Sequence, residues 1–429
     1  MELGTAYPGG STSAPREKSL GGPSWHTLLF ITIVFFIIDH NILESLHVLD
    51  FASVAATEKA DLVAAGNLPR RIAYVAFGLY GLALWLDVPL FRLSARRFLA
   101  VILLAYLGWA VLSLTWSVSP TLTVRRLSVL GLMSLGITGL LRKLSGEGIV
   151  RLVFFSTLSY LMVGVGAELA LGVFTPWSAE YRFAGTLHPN VQGINCAALV
   201  FAALTMSASR KRFRLATLAV ALLAFAFLLL TGSRTALGAC ITGICIGLAL
   251  KSERRFAVLL ASTICCAALV TVVLVVNGVV PSPLEVLVKE RSEGVGVLTG
   301  RSDLWVILLG YARERPSVGY GYGAFLDPTR GLEIASRVGG WAFGGPHSIY
   351  FEGLLDLGGI GVLALVGVLL GSVLKSVGAY RRSLSPEYLF FAALLVFQIV
   401  DGLTEAEMLS PNPHLVPCLA VAFLAFRAP

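Results

Sequence analysis

An all-α, polytopic membrane protein of about twelve transmembrane helices is the fold class this sequence predicts, on three observations. Apolar residues make up 56% of the 429 positions and charged ones only 14%, where a soluble domain carries about 25%. The apolar residues gather in runs of about 20, the length that crosses roughly 30 Å of hydrocarbon as a helix. The basic residues alternate between rich and poor connections. With the N-terminus in the cytoplasm, the short inner loops hold sixteen Lys and Arg residues and the short outer ones seven. The net charge of +8 therefore reads as membrane topology, and no nucleic-acid partner is implied.

In chain order, residues 1–24 are Gly-, Pro- and Ser-rich and predict a flexible cytoplasmic tail. Residues 25–429 predict a single transmembrane domain. Its spans are expected at 27–46, 71–88, 98–117, 126–141, 149–174, 191–208, 214–231, 235–250, 256–280, 346–374, 385–402 and 412–426. The first span has no small-residue cleavage site after it and reads as a retained anchor. All six cysteines fall in apolar runs and read as packing residues, without a disulfide framework. One outer connection is long, from 281 to 345. Loops of that length are usually functional or carry helices of their own. Within it, "RSDLWVILLGYARERP" from Arg301 predicts a helix with Leu304, Ile307, Leu308 and Tyr311 on one face. Pro316 ends it, and it is expected to lie on the outer membrane surface.

The unusual polar residues collect at the outer boundary. "TGSRTA" places Arg234 between two apolar runs, and an arginine at the bilayer centre would cost roughly 3 kcal/mol. A tight turn at the rim resolves this: Gly232 allows the turn, and Ser233 or Thr235 can cap the helix that follows. Alone, Arg234 reads as a snorkelling residue. It has company, however. "YRFAGTLHPNVQG" supplies Arg182, His188 and Asn190; "LTGRSDLW" supplies Arg301; "GGPHSIYFEGLLDLGGIG" supplies His347; the connection before the last span supplies Asp401 and Glu405.

His188 is equally a turn residue beside a proline. His347 opens a span at a helix N-terminus, which disfavours the imidazolium and leaves a neutral ring able to take a proton. Glu405 could orient an arginine or the histidine. Glu352 and Asp356 share a helix face turned away from His347. "GYGYGAF" lacks the spacing of a dinucleotide loop and reads as a turn on the membrane with Tyr320 and Tyr322 as interfacial anchors. Arginines hold phosphates through bidentate forks, and a neutral histidine can deprotonate a hydroxyl. The set points to group transfer from a lipid pyrophosphate to a hydroxyl acceptor. Arginine can neutralise the leaving group, so no metal or cofactor is required.

"LLLTGSRTALGACITG", "LTGRSDLWVILLGYARERPSVGYGYGAF" and "HSIYFEGLLDLGGIGVLAL" resemble the motifs of the O-antigen ligase and polysaccharide polymerase superfamily, over roughly residues 180–375. "FAGTLHPNVQG" is similar to a segment of its exopolysaccharide polymerases. The resemblance implies a GT-C-like fold in a bacterial inner membrane, with one long periplasmic loop between helices nine and ten. It also implies inverting, metal-independent transfer of a glycan from undecaprenyl pyrophosphate to a sugar hydroxyl in the periplasm. The acceptor is lipid A core for a ligase and another repeat unit for a polymerase, and both stay open. Arg182, Arg234 and Arg301 are implied as donor pyrophosphate-binding residues and His347 as the base. His188, Ser233, Thr235 and Glu405 would support them. Partners would be the lipid-linked oligosaccharide, the acceptor glycan and membrane lipids, with a chain-length regulator as a further candidate. Many members carry Asn after the histidine, where this chain has Ser348. The competing class is a transporter or flippase of lipid-linked oligosaccharide. That class would place its charges near the midplane on broken helices.

Overall fold

The computed structural model describes residues 23–39, 68–86, 97–178, 180–209, 211–251, 301–337, 345–405 and 414–427. Thirteen α-helices run through them, with no strand among the described residues. They are α1 (Trp25–Asp39), α2 (Leu68–Leu86), α3 (Phe98–Leu112), α4 (Pro120–Leu141), α5 (Gly146–Ala170), α6 (Pro189–Ser209) and α7 (Arg214–Leu230). α8 (Arg234–Lys251), α9 (Arg301–Glu314), α10 (Pro328–Arg337), α11 (Ile349–Ser383), α12 (Pro386–Asp401) and α13 (Leu415–Phe426) follow. Eleven of the twelve expected spans coincide with helices. The span at 256–280, residues 1–22 of the tail, and residues 281–300 and 338–344 of the long connection lie outside the described residues. Among the described residues, six helices are long and apolar enough to cross a membrane: α3 with its 3-10 extension to Thr115, α4, α5, α6, α8 and α11. Three further apolar helices, α1, α7 and α13, are shorter.

α6 and α12 form the centre. α6 carries no charged residue and is buried continuously from Gln192 to Ala203, as a helix that is apolar all round must be. It packs on α5, α7 and α12; α12 in turn packs on α8 and α11. The outer faces of peripheral helices present bare leucines, such as Leu222 and Leu363, to the lipid side.

α11 is broken. Gly358 takes φ 68° and ψ −171°, a region open to glycine and closed to other residues. A Cβ there would fall 2.2 Å from the backbone of Ser317. Breaking a helix frees backbone groups that cannot go unpaired inside a membrane. The segment 316–321 meets them. Tyr320 N–H donates to the Leu355 carbonyl (2.8 Å) and Gly321 N–H to that of Asp356 (2.8 Å). The Gly359 and Ile360 amides donate to Pro316 (2.7 Å) and Ser317 (3.4 Å). The Trp109 indole takes the Leu357 carbonyl at 3.0 Å. The Asp356 carboxylate then accepts from the Gly323 and Phe325 amides at 2.8 and 3.2 Å, and it interacts with the charge of Arg126 on α4. Gly358→Ala is expected to destabilise the protein by at least about 1–3 kcal/mol through backbone strain alone. Thermal unfolding in detergent measures it.

Two local expectations change. The expected apolar face of α9 is packed inside the protein rather than left open to a membrane. Leu304 and Leu308 are fully buried in a small core with Tyr320, Phe325, Ile334 and Leu355, so its apolar face is covered by α11 and the 320–325 turn. "GYGYGAF" is the segment that plugs the break in α11. Tyr320 and Tyr322 are buried rather than anchored at an interface, and the Tyr320 hydroxyl donates to Glu314 at 2.7 Å. Local hydropathy does not reveal this, because the groups the turn satisfies belong to another helix.

Candidate active site

The short turn after α12 is the point where the site assembles. It closes on itself through Gly402 N–H to the Gln398 carbonyl and Glu405 N–H to that of Asp401, both at 3.0 Å. Three helices begin against it. α6 reaches it through Asn190, whose Nδ2 donates to Glu405 Oε1 at 2.7 Å. α8 reaches it through Thr235, whose hydroxyl accepts from Thr404 at 2.8 Å. α11 reaches it through Ile349 N–H and the Ser348 hydroxyl, which donate to the Gly402 carbonyl at 3.0 and 3.3 Å. Each helix N-terminus carries about half a positive charge, so three of them around one turn favour an anion.

Arg182 is tied into this arrangement by its fork. Nε donates to the Thr231 carbonyl and Nη2 to Asn190 Oδ1, each at 2.8 Å. A chain thus runs from the end of α7 through Arg182 and Asn190 to Glu405. The loop that carries Arg182 is held by Glu168 near the end of α5. Glu168 Oε1 accepts the Ala184 and Gly185 amides at 3.0 and 2.6 Å, and Oε2 accepts the Tyr181 hydroxyl. Burial pushes the Tyr181 hydroxyl well above its ordinary pKa, with the hydrogen bond and charge of Glu168 adding to it. Glu168→Ala would leave two amides without an acceptor, at about 1–3 kcal/mol each. Its melting temperature should fall sharply, and Glu168→Gln, which keeps a carbonyl for them, should recover most of the loss.

The "TGSRTA" turn is built as its residues suggest. Gly232 sits at φ 63°, and a Cβ on it would press 3.2 Å from Arg182 Nε. The Thr231 hydroxyl accepts the Ser233 amide, and Ser233 caps α8 by accepting from Ala236 N–H at 3.4 Å. Thr235 is turned instead to Thr404. Arg234 is the first residue of α8 and is exposed. His188 caps α6: its Nδ1 accepts the Asn190 amide at 3.3 Å, and Pro189 follows as the first helical residue. Arg301 begins α9. His347 stands half-buried directly before the Ser348 cap of α11.

A family model described as O-antigen ligase matches residues 218–366. This match supports assignment to the O-antigen ligase and polymerase superfamily. No curated protein matches it. At the level of the family, the activity is that of an O-antigen ligase- or polymerase-like membrane glycosyltransferase, in a multi-pass membrane protein. The O-antigen ligase match runs from within α7 through the Arg234 turn, α9 and His347 to just past the break in α11. It leaves Arg182, Asn190 and Glu405 outside; Arg182 bonds directly to the Thr231 carbonyl in the matched part, and Asn190 and Glu405 are linked to it through Arg182.

The arrangement in this O-antigen ligase relative brings together Arg182, Asn190, Thr235, Thr404 and Glu405 by direct contact, and His347 through its neighbour Ser348. Sequence reasoning misses Glu168 and Thr404. Glu168 has a readable signal, a lone carboxylate in the apolar run "LMVGVGAELALGVF". Thr404 has none, because its partner is 169 residues away. Among the described residues no three His, Cys, Asp or Glu side chains cluster as metal ligands would.

Proposed function

We propose that this protein transfers a glycan from undecaprenyl pyrophosphate to a sugar hydroxyl at the periplasmic face of a bacterial inner membrane. Arg182 and Arg234 hold the pyrophosphate, with Arg301 as a further donor contact. His347 accepts the proton of the acceptor hydroxyl as that oxygen attacks the anomeric carbon. The new glycosidic bond forms on the face opposite the departing phosphate oxygen, so the configuration inverts. The arginines and helix N-termini stabilise the leaving charge without a metal. The observation that supports this reading is the convergence of three helix N-termini on the 402–405 turn, with the Arg182 fork linked to that turn through Asn190 and His347 at the head of one of those helices.

The transporter reading draws on the break in α11, with Asp356 and Arg126 beside it. Yet the freed backbone groups there are paired with the 316–321 segment, whereas a carrier would leave them to bind substrate. The test is reconstitution of the purified chain in vesicles with a lipid-pyrophosphate oligosaccharide, an acceptor glycan and EDTA. Product of inverted linkage, with equimolar free carrier pyrophosphate, supports transfer. Movement of intact donor across the bilayer without product would support the carrier. Loss of long surface chains on gene deletion would mark a polymerase. Normal chains left unattached to lipid A core would mark a ligase.

A further inference from the structure

His347 sits in the left-handed backbone region, at φ 53°. The other described non-glycine residue there, Leu384, caps the C-terminus of α11, a usual place for that conformation. His347 precedes a helix, where no such habit exists. An L-residue at this angle is strained and persists only where its surroundings hold it.

They hold it from both sides. After His347, Ser348 and Ile349 are fastened to the Gly402 carbonyl. Before it, the Trp305 indole N–H donates to the Pro346 carbonyl at 3.0 Å. Trp305 is itself fixed, stacked on Phe351 in the first turn of α11 with centroids 5.2 Å apart and planes at 27°. Its neighbour Leu304 is fully buried in the core under α9. The Pro346 carbonyl oxygen lies in the planar peptide that enters His347, so one hydrogen bond to it sets that plane. Proline restricts the backbone on the other side as well.

We propose that Trp305 is the positioning residue for His347: its indole clamps the Pro346–His347 peptide and so aims the imidazole. This rests on the reading of His347 as the base. The clamp also joins α9, from the long connection, to the head of α11. Docking of α9 and alignment of the imidazole are then one event.

The test is Trp305→Phe, which keeps a ring on Phe351 and removes the donor. kcat should fall at least about 10-fold, since a misplacement of about 1 Å can cost on the order of 100-fold. KM for the lipid-linked donor should stay within about 2-fold, because uniform binding is untouched. A raised KM with unchanged kcat would make Trp305 a donor contact and overturn the proposal, as would wild-type kinetics. His347→Ala run beside it separates the two levels. If His347→Ala is active, the assignment of the base fails; if it is dead and Trp305→Phe is normal, only the clamp fails. A second measurement needs no activity. His347→Gly should melt above His347→Ala, because glycine carries no strain at this angle. An equal or lower melting temperature would mean there is no strained conformation to hold. Should Trp305→Phe fail to accumulate, an equal or lower melting temperature of His347→Gly still overturns the proposal.

Discussion

His347→Ala is expected to lower glycan transfer by about 10²–10⁴-fold, the usual worth of a general acid–base group, while the protein still folds into the membrane. The second half of that expectation comes from the structure. The head of α11 is fastened by Ser348, which accepts from Phe351 N–H at 3.5 Å, and by the Ile349 amide and Ser348 hydroxyl on the Gly402 carbonyl. Tyr350 adds a hydroxyl donated to the Ile399 carbonyl at 2.9 Å. None of these bonds uses the imidazole, so alanine removes a proton acceptor and leaves the helix start in place. Product formation from a lipid-linked donor, measured beside the melting temperature of the purified variant, checks both halves. Transfer at the wild-type rate in a folded variant would take the base assignment away from His347.

The second large effect is expected at Arg182. Arg182→Lys should reduce kcat by about 10²–10³-fold, the range seen when a preorganised electrostatic donor is lost. One guanidinium spans the Thr231 carbonyl and the Asn190 side chain at 2.8 Å each and so fixes the start of α6 against the end of α7. An ammonium is a point charge on a flexible stem and cannot reproduce both directions of the fork. Asn190 would then lose the partner that aims it at Glu405. Arg234→Lys should also be impaired. Arg234 is exposed at the head of α8, so that variant reports on donor binding rather than on the scaffold. Steady-state kinetics with a lipid-pyrophosphate donor distinguish them: kcat falls for Arg182→Lys, and donor KM rises for Arg234→Lys. Unchanged kinetics at Arg182 would remove the fork from the chemistry.

Much of this molecule is legible in its sequence. The eleven helices that match expected spans follow from apolarity summed over about 20 residues, a quantity local to each stretch. The "TGSRTA" turn is legible too, since Gly232 and Ser233 act on their own neighbours. The capping bond of His188 is local as well, reaching a residue two positions away. Motif resemblance extends this to the family, because the ordered series of arginine turn, long connection and histidine-led helix is itself written in the chain.

Pairing at a distance is hidden. Asn190 and Glu405 are 215 residues apart, and nothing in either neighbourhood announces the other. The tyrosines of "GYGYGAF" read as interfacial because tyrosine favours interfaces. They are buried because a glycine elsewhere, Gly358, breaks a helix whose carbonyls then need donors. Trp305 reads in the sequence as one more apolar residue on a helix, and only the fold puts its indole on the Pro346 carbonyl.

By itself, then, the chain's order of residues determined that this is a bundle of membrane helices, with Arg182, Arg234 and His347 in connections between its apolar runs. The free energy of placing each segment in hydrocarbon depends only on that segment. Tertiary structure alone decided which of the candidate residues are hydrogen-bonded to one another, what holds the peptide before His347 and what fills the break in α11. Hydrogen bonds are short-ranged and directional, so their partners exist only once the helices have packed.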